Sequence, residues 1–218
     1  MSKIRPIMGP MRVLFLILMP ACVILGVATA VHSGAHINLL YVLLVTIGAL
    51  GTHISINAVN ECDDFRSGLD THPQRILFSG GSDTLPANPA IAGTALTTAL
   101  VCAGIVALIG LYFTWPWGLA LLPVEALGML VIIAHTPYLT CIPFLCLIAP
   151  WLGFEPLMVM GTHFALTRQY SRTALIASMI HFFLVSNFLL LYQFPDVEAD
   201  KTVGRQHFPI LIGRPLSS

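Results

Sequence analysis

Six long, nearly uncharged apolar stretches dominate this chain, at about 13–31, 38–58, 90–113, 117–134, 138–167 and 173–194. Each is close to the ~20 residues that an α-helix needs to cross the hydrocarbon of a bilayer. A helix satisfies its own backbone polar groups, so it can lie in lipid without unpaired N–H and C=O. Only 9% of the residues are charged, 10 Lys and Arg with 10 Asp and Glu, against roughly a quarter in a soluble domain. So few charges cannot clothe a surface in water. The expectation is an all-α integral membrane protein, a helical bundle of about six transmembrane helices in one membrane domain over 1–218.

The stretches differ in detail. The fifth carries Pro143, Pro150 and Pro156, which predict a kink or a re-entrant entry. Glu125 and Glu155 fall inside the fourth and fifth. A mid-membrane carboxylate costs about 2.5–3.5 kcal/mol on insertion scales, so each is expected to face protein or water. The first stretch follows Lys3, Arg5 and Arg12 and ends near "ATA" at 28–30, as a signal peptide does. Its apolar run exceeds an h-region of about 7–15 residues, and it reads as a retained anchor.

Basic residues orient the bundle. With a cytoplasmic N-terminus, the N-terminal segment, the 59–89 loop and the C-terminal segment share one side and hold eight of the ten Lys and Arg. Only Arg168 and Arg172 fall outside, as the positive-inside rule requires of a cytoplasmic (inner) membrane protein. Zero net charge and the lack of a basic run argue against a nucleic-acid partner. Cys22, Cys62, Cys102, Cys141 and Cys146 lack zinc spacing and are expected to pack as small apolar side chains. The histidines lack metal spacing too and read as packing or polar contacts.

Against this background "NAVNECDDFRSGLD" at 57–70 is out of character. Glu61, Asp63, Asp64, Arg66 and Asp70 crowd together where the second stretch ends. A second acidic segment, "QFPDVEADKTVGRQHFP", follows the sixth. An even number of helices separates them, so both are expected at the same membrane face. Asn60 and Asp64 are i and i+4, as are Asp196 and Asp200, so each pair shares a helical face. Gly68 is placed to break the helix and turn Asp70 back. Carboxylates brought close together need a counter-charge to stay ionised. Oxygen-only donors suit a hard cation, magnesium above all, which binds through one or two carboxylates together with substrate phosphates. Arg75, Lys201 and Arg205 stand beside the clusters and suit a diphosphate. The Gly/Ser segment "FSGGSDTLP" offers backbone amides to an anion.

"NECDDFRSGLD", followed by Arg75 and "FSGGSDTLP", resembles the first Asp-rich motif of UbiA-type membrane prenyltransferases, closest to the MenA-like branch. The later acidic segment resembles that superfamily's second motif, DxxxD followed by basic residues. The resemblance implies transfer of a polyprenyl group from a polyprenyl diphosphate to an aromatic acceptor in quinone or related lipid biosynthesis, with Mg2+ as cofactor. It implies catalytic residues Asp64, Asp70, Asp196 and Asp200, and a metal shell of these four with Asn60. Arg75, Lys201 and Arg205 are the implied diphosphate contacts, with the prenyl tail among the helices. Several positions depart from the family pattern: Glu61 where Asp is common, Tyr192 and Gln193 before the second motif, and Glu155 in place of a Gly. Family members usually have nine transmembrane helices, so the chain resembles their first two thirds and is expected to be incomplete at the C-terminus, with a partner chain as one source of the missing helices.

Two other function classes are weighed beside the enzyme. A shortened, non-catalytic membrane protein would bind isoprenoid lipid or a partner. A transporter would use Glu125 and Glu155 as an ion path; it ranks last, because charge gathers at one face and no two-fold repeat of the stretches is visible.

Overall fold

The computed structural model describes residues 8–12, 16–69, 82, 84–134, 142, 144, 156–195, 197–202 and 204–213. The described residues form helices and connecting turns, with no strand among them. Among the described residues six helices overlap the six apolar stretches: α1 (Leu18–His32), α2 (Leu39–Ser67), α4 (Ala92–Trp117), α5 (Leu122–Ala134), α6 (Pro156–Thr167), which covers only the last part of the fifth stretch, and α7 (Arg172–Gln193). Three short ones complete the set: α3 (Thr84–Ala87), α8 (Val197–Thr202) and α9 (Phe208–Leu211). Two segments, Leu39–Ser67 and Pro89–Trp117, are long and apolar enough to cross a membrane. Leu18–His32 and Leu119–Ala134 are shorter apolar helices.

Local chemistry explains the boundaries. Asn38 caps α2, its side chain accepting from the Leu40 amide at 2.9 Å, and Ser171 caps α7 through the Ala174 amide. Pro156 is the first described residue of α6; Pro143, Pro150 and Glu155, on which the expected kink or re-entrant entry also rests, lie outside the described residues. The second helix continues beyond its apolar stretch, which ends near 58, to Ser67, where Gly68 ends it with φ 78°. That left-handed conformation suits glycine, so the helix stops where the sequence placed a break, and Asn60, Glu61 and Asp64 ride on its last turns.

α2 packs most extensively against α4, and α1 against α6. Near one end the core holds Phe113, Leu121, Phe164 and Ala165, with Tyr41 edge-on to both Phe113 and Trp117. Near the other, Cys62, Leu85 and Ala95 pack under Phe65. Cys22 and Cys62 are buried and Cys102 half-buried, and none of the three is in a disulfide among the described residues; Cys141 and Cys146 lie outside the described residues. Large apolar side chains also face outward, among them Leu43, Leu108, Leu111, Ile176 and Ile180. An apolar exterior of this extent has lipid, not water, as its natural solvent.

Candidate active site

The site is built at the C-terminal end of α2, where the α6–α7 half of the chain returns through α8 and the turn after it. Asn60 and Asp64 share a helical face, and the Asn60 amide donates to Asp64 Oδ2 at 3.1 Å. Glu61, one position round, is completely buried. A carboxylate so placed needs donors on every side. Ser82 supplies its backbone N–H at 2.9 Å and its hydroxyl, both to Oε1, and Arg12 approaches Oε2 at 3.1 Å. The amide of Ser82, in the Gly/Ser segment expected to face an anion, is thus directed at an anion of the protein itself.

Arg12 comes from the short segment ahead of α1. Gly9 in that segment lies so close to Thr84 that a Cβ would sit 1.9 Å from its Oγ1. Pro10 is buried, and Asn57 donates to the Met11 carbonyl at 3.0 Å. Arg12 itself has φ 47°, a conformation costly for a side-chain-bearing residue and characteristic of functional positions. Held this way, its guanidinium reaches Asp64 Oδ2 at 3.3 Å as well as Glu61.

Arg205 closes the other side. It is paired with Asp64 Oδ1 and, at 3.3 Å, with Asp200 Oδ1. One guanidinium therefore joins the two acidic segments. Burial works against its charge, but Asp64 and Asp200 outweigh that and raise its pKa above the ordinary guanidinium value. His207 lies 3.1 Å from Asp200 Oδ2 through Nε2. Three carboxyl groups (Glu61, Asp64, Asp200) thus meet two guanidiniums and one imidazole in the described cluster.

Of the residues singled out in the sequence, the structure brings together Asn60, Asp64, Asp200 and Arg205. Lys201 turns to Glu198 at 3.2 Å on the exposed side of α8, away from the cluster. Asp70, Arg75 and Asp196 lie outside the described residues. Arg12, Glu61, Ser82 and His207 are additions. The sequence marked Arg12 only as a charge at the N-terminal side, Glu61 as a member of the acidic cluster at a variant motif position but not as a site residue, and nothing local signalled that His207 meets Asp200.

Oxygen donors of this kind fit a hard cation such as magnesium. No group of three or more His, Cys, Asp or Glu side chains is gathered tightly enough to hold one among the described residues. Both Asp64 oxygens already face arginines, so the guanidiniums occupy the positions of positive charge.

A helical membrane bundle with a buried carboxylate–arginine cluster where its two acidic segments meet defines the class of protein. The chain belongs to the UbiA prenyltransferase family, whose model matches residues 17–217. It is 28% identical over 200 residues to 1,4-dihydroxy-2-naphthoate octaprenyltransferase from Bacillus subtilis (strain 168), a match covering 88% of this chain and 60% of that relative. The chain thus spans about 60% of the length of the curated relative it matches. No solved structure matches it.

Proposed function

We propose that this chain transfers a polyprenyl group from a prenyl diphosphate to an aromatic acceptor, using magnesium, at the cytoplasmic face of a six-helix membrane bundle. The observation that carries the reading is the meeting of Asp64 and Asp200 on Arg205, in a chain of this family. Asn60, Asp64 and Asp200, with Asp70 and Asp196, would hold the metal; bound there, magnesium would offset charge on the departing diphosphate.

The chain's own residues divide the remaining work. Arg205, charged throughout the working pH range, would bind diphosphate oxygens, with Arg75 as its expected partner; Lys201, paired with Glu198, would have to turn to join them. Arg12 and Ser82 hold Glu61, and so fix the last turns of α2 that carry Asp64. The apolar helices would take the prenyl tail and keep water from the allylic centre. The C–O bond breaks with its electron pair leaving on diphosphate, the electron-rich acceptor carbon bonds to the allylic cation, and a proton departs from that carbon.

A direct test is diphosphate release by the purified protein from a labelled prenyl diphosphate with Mg2+, comparing wild type with Asp64→Asn and Asp200→Asn. Both variants are expected to lose at least 100-fold in kcat/KM; full activity in either sinks the assigned role. A second reading, a non-catalytic member that binds isoprenoid lipid, is favoured by the guanidiniums that already neutralise Asp64. Prenyl diphosphate binding to the wild type without turnover, with every acceptor in an aromatic panel, would select it.

A further inference from the structure

At the end of the bundle away from the acidic cluster, a pocket of about 600 Å3 lies between the α1–α2 turn and the α6–α7 turn. His36, just ahead of α2, is in its wall. Asp64 stands 25 residues along α2 from Leu39, about 38 Å at 1.5 Å per residue. That exceeds the ~30 Å of a bilayer's hydrocarbon, so pocket and cluster belong to opposite faces.

The pocket's wall is mostly polar, yet much of that polarity is spent within the protein. Ser33 donates to the Thr29 carbonyl at 3.0 Å, and Thr167 to the His163 carbonyl at 2.8 Å. Thr29 gives its hydroxyl proton to the Gly26 carbonyl at 2.8 Å, so His163 Nδ1, 3.0 Å from that oxygen, is the donor to it. The exposed part of the lining is different. Arg172, Gln169 and His36 are exposed there and make no hydrogen bond or ion pair among the described residues. No Asp or Glu lines the pocket, and Glu125, near the start of α5, is turned to Thr114 instead. Of the two arginines that break the positive-inside pattern, Arg168 is stacked on Trp117. Arg172 is left beside an open pocket without acids.

The neighbouring surface narrows the ligand. Leu175, Ile176 and Ile180 follow Arg172 on α7 at i+3, i+4 and i+8, one helical stripe, and all three are exposed. Leu39, Leu40 and Leu43 are exposed on α2 just after His36. Trp115 at the same end of α4 is 92% exposed, as suits an aromatic at headgroup level. A guanidinium above an apolar stripe matches a molecule with a phosphate head and hydrocarbon chains. The pocket is larger than a simple ion needs and has room for a whole headgroup.

We propose that this pocket is a lipid site, which takes the phosphodiester headgroup of an anionic phospholipid. The phosphate lies on Arg172, with Gln169 and His36 as further donors, and the acyl chains run along the α7 stripe. The site depends on the chain's place in a membrane, not on prenyl transfer.

Native mass spectrometry of the protein in detergent, titrated with phosphatidylglycerol or with phosphatidylcholine of the same chains, reads the affinity of the first bound lipid. The choline cation offsets the phosphate beside Arg172, so wild type is expected to hold phosphatidylglycerol at least about tenfold more tightly. In Arg172→Ala the preference should vanish while phosphatidylcholine affinity holds, which also shows that the variant is folded. Arg168→Ala removes the same charge from the same end, but from a side chain committed to Trp117, and should keep the preference. Glycerol phosphate, a headgroup without chains, should compete only at concentrations at least about 100-fold higher, since each buried CH2 contributes about 0.8 kcal/mol. Equal affinities in wild type, a preference that survives Arg172→Ala, or an equal loss in Arg168→Ala each overturns the proposal. Glycerol phosphate competing as strongly as the lipid overturns it too, and makes the pocket a site for soluble phosphates. Asp64→Asn should keep the lipid preference while losing diphosphate release, so the two readings fail separately.

Discussion

Arg205 and Asp64 are 141 positions apart in sequence and form an ion pair in the fold. The same guanidinium also reaches Asp200, and the same carboxylate also meets Arg12. Removing Arg205 would strand two carboxylates whose side chains are 4% and 8% exposed. Loss of one partner from a buried pair costs about 3–5 kcal/mol, because the remaining charge stays desolvated. Arg205→Ala is expected near the lower end of that range, measured by denaturant unfolding in detergent. It should be non-additive with Asp64→Asn, since the two changes remove a shared interaction.

Ser82 and Glu61 provide a finer test. Ser82→Ala keeps the backbone donor but removes the hydroxyl from a fully buried carboxylate. Hydrogen bonds to charged groups are worth about 1.5–3 kcal/mol, and a loss of that size is expected in the same unfolding measurement. A change below about 0.5 kcal/mol, the usual range for surface substitutions, would show that Glu61 does not depend on this hydroxyl.

Close approach of α1 to α6 depends on Gly26. A Cβ there would stand 2.6 Å from Thr162 Cβ and 3.0 Å from the Val159 carbonyl. Since the second of these is backbone, the helices must separate, and Gly26→Ala is expected to cost about 1–3 kcal/mol. Gly93 on α4 has nothing within 4 Å of the same position. Gly93→Ala should stabilise by about 0.5–1 kcal/mol through helix propensity alone. Thermal unfolding of the pair in parallel reads both signs at once.

At the opposite end of the bundle, Arg168 stacks over the Trp117 ring at 3.8 Å while its own φ is 61°. The ring is held by Trp117 Nε1, which donates to the Ala165 carbonyl at 3.0 Å. Arg168→Ala loses the stacking, worth about 0.5–1 kcal/mol at an exposed site, yet keeps the unfavourable backbone. Arg168→Gly loses the stacking too but relieves the conformation. The glycine variant is therefore expected to be the more stable of the two, an ordering that differential scanning fluorimetry can check.

Much of the fold was legible because lipid leaves a chain few choices: apolar runs of spanning length must become helices. Gly68 announced the end of α2, and the even number of helices between the acidic segments placed Asp64 and Asp200 at one end. The last turns of α2 were legible as well, since the i,i+4 spacing of Asn60 and Asp64 puts both on the helix that Gly68 ends. What the sequence did not show is that Arg12 and Ser82 enclose Glu61 there. Arg12 and His207 escaped notice because their partners lie far off in sequence or across a turn, so no i,i+4 spacing advertises them. Lys201 looked equivalent to Arg205 by position, but α8 aims it at Glu198 instead.

One carboxylate, Asp64, holds both the segment ahead of the first helix and the segment beyond the sixth long one. Mechanically, this couples two otherwise remote ends of the polypeptide. A pull on either is transmitted to the same atom group, so slackening one attachment loosens the other. The mouth of the bundle should consequently yield as a unit under force, with the strap bearing Arg12 and the turn bearing Arg205 releasing together.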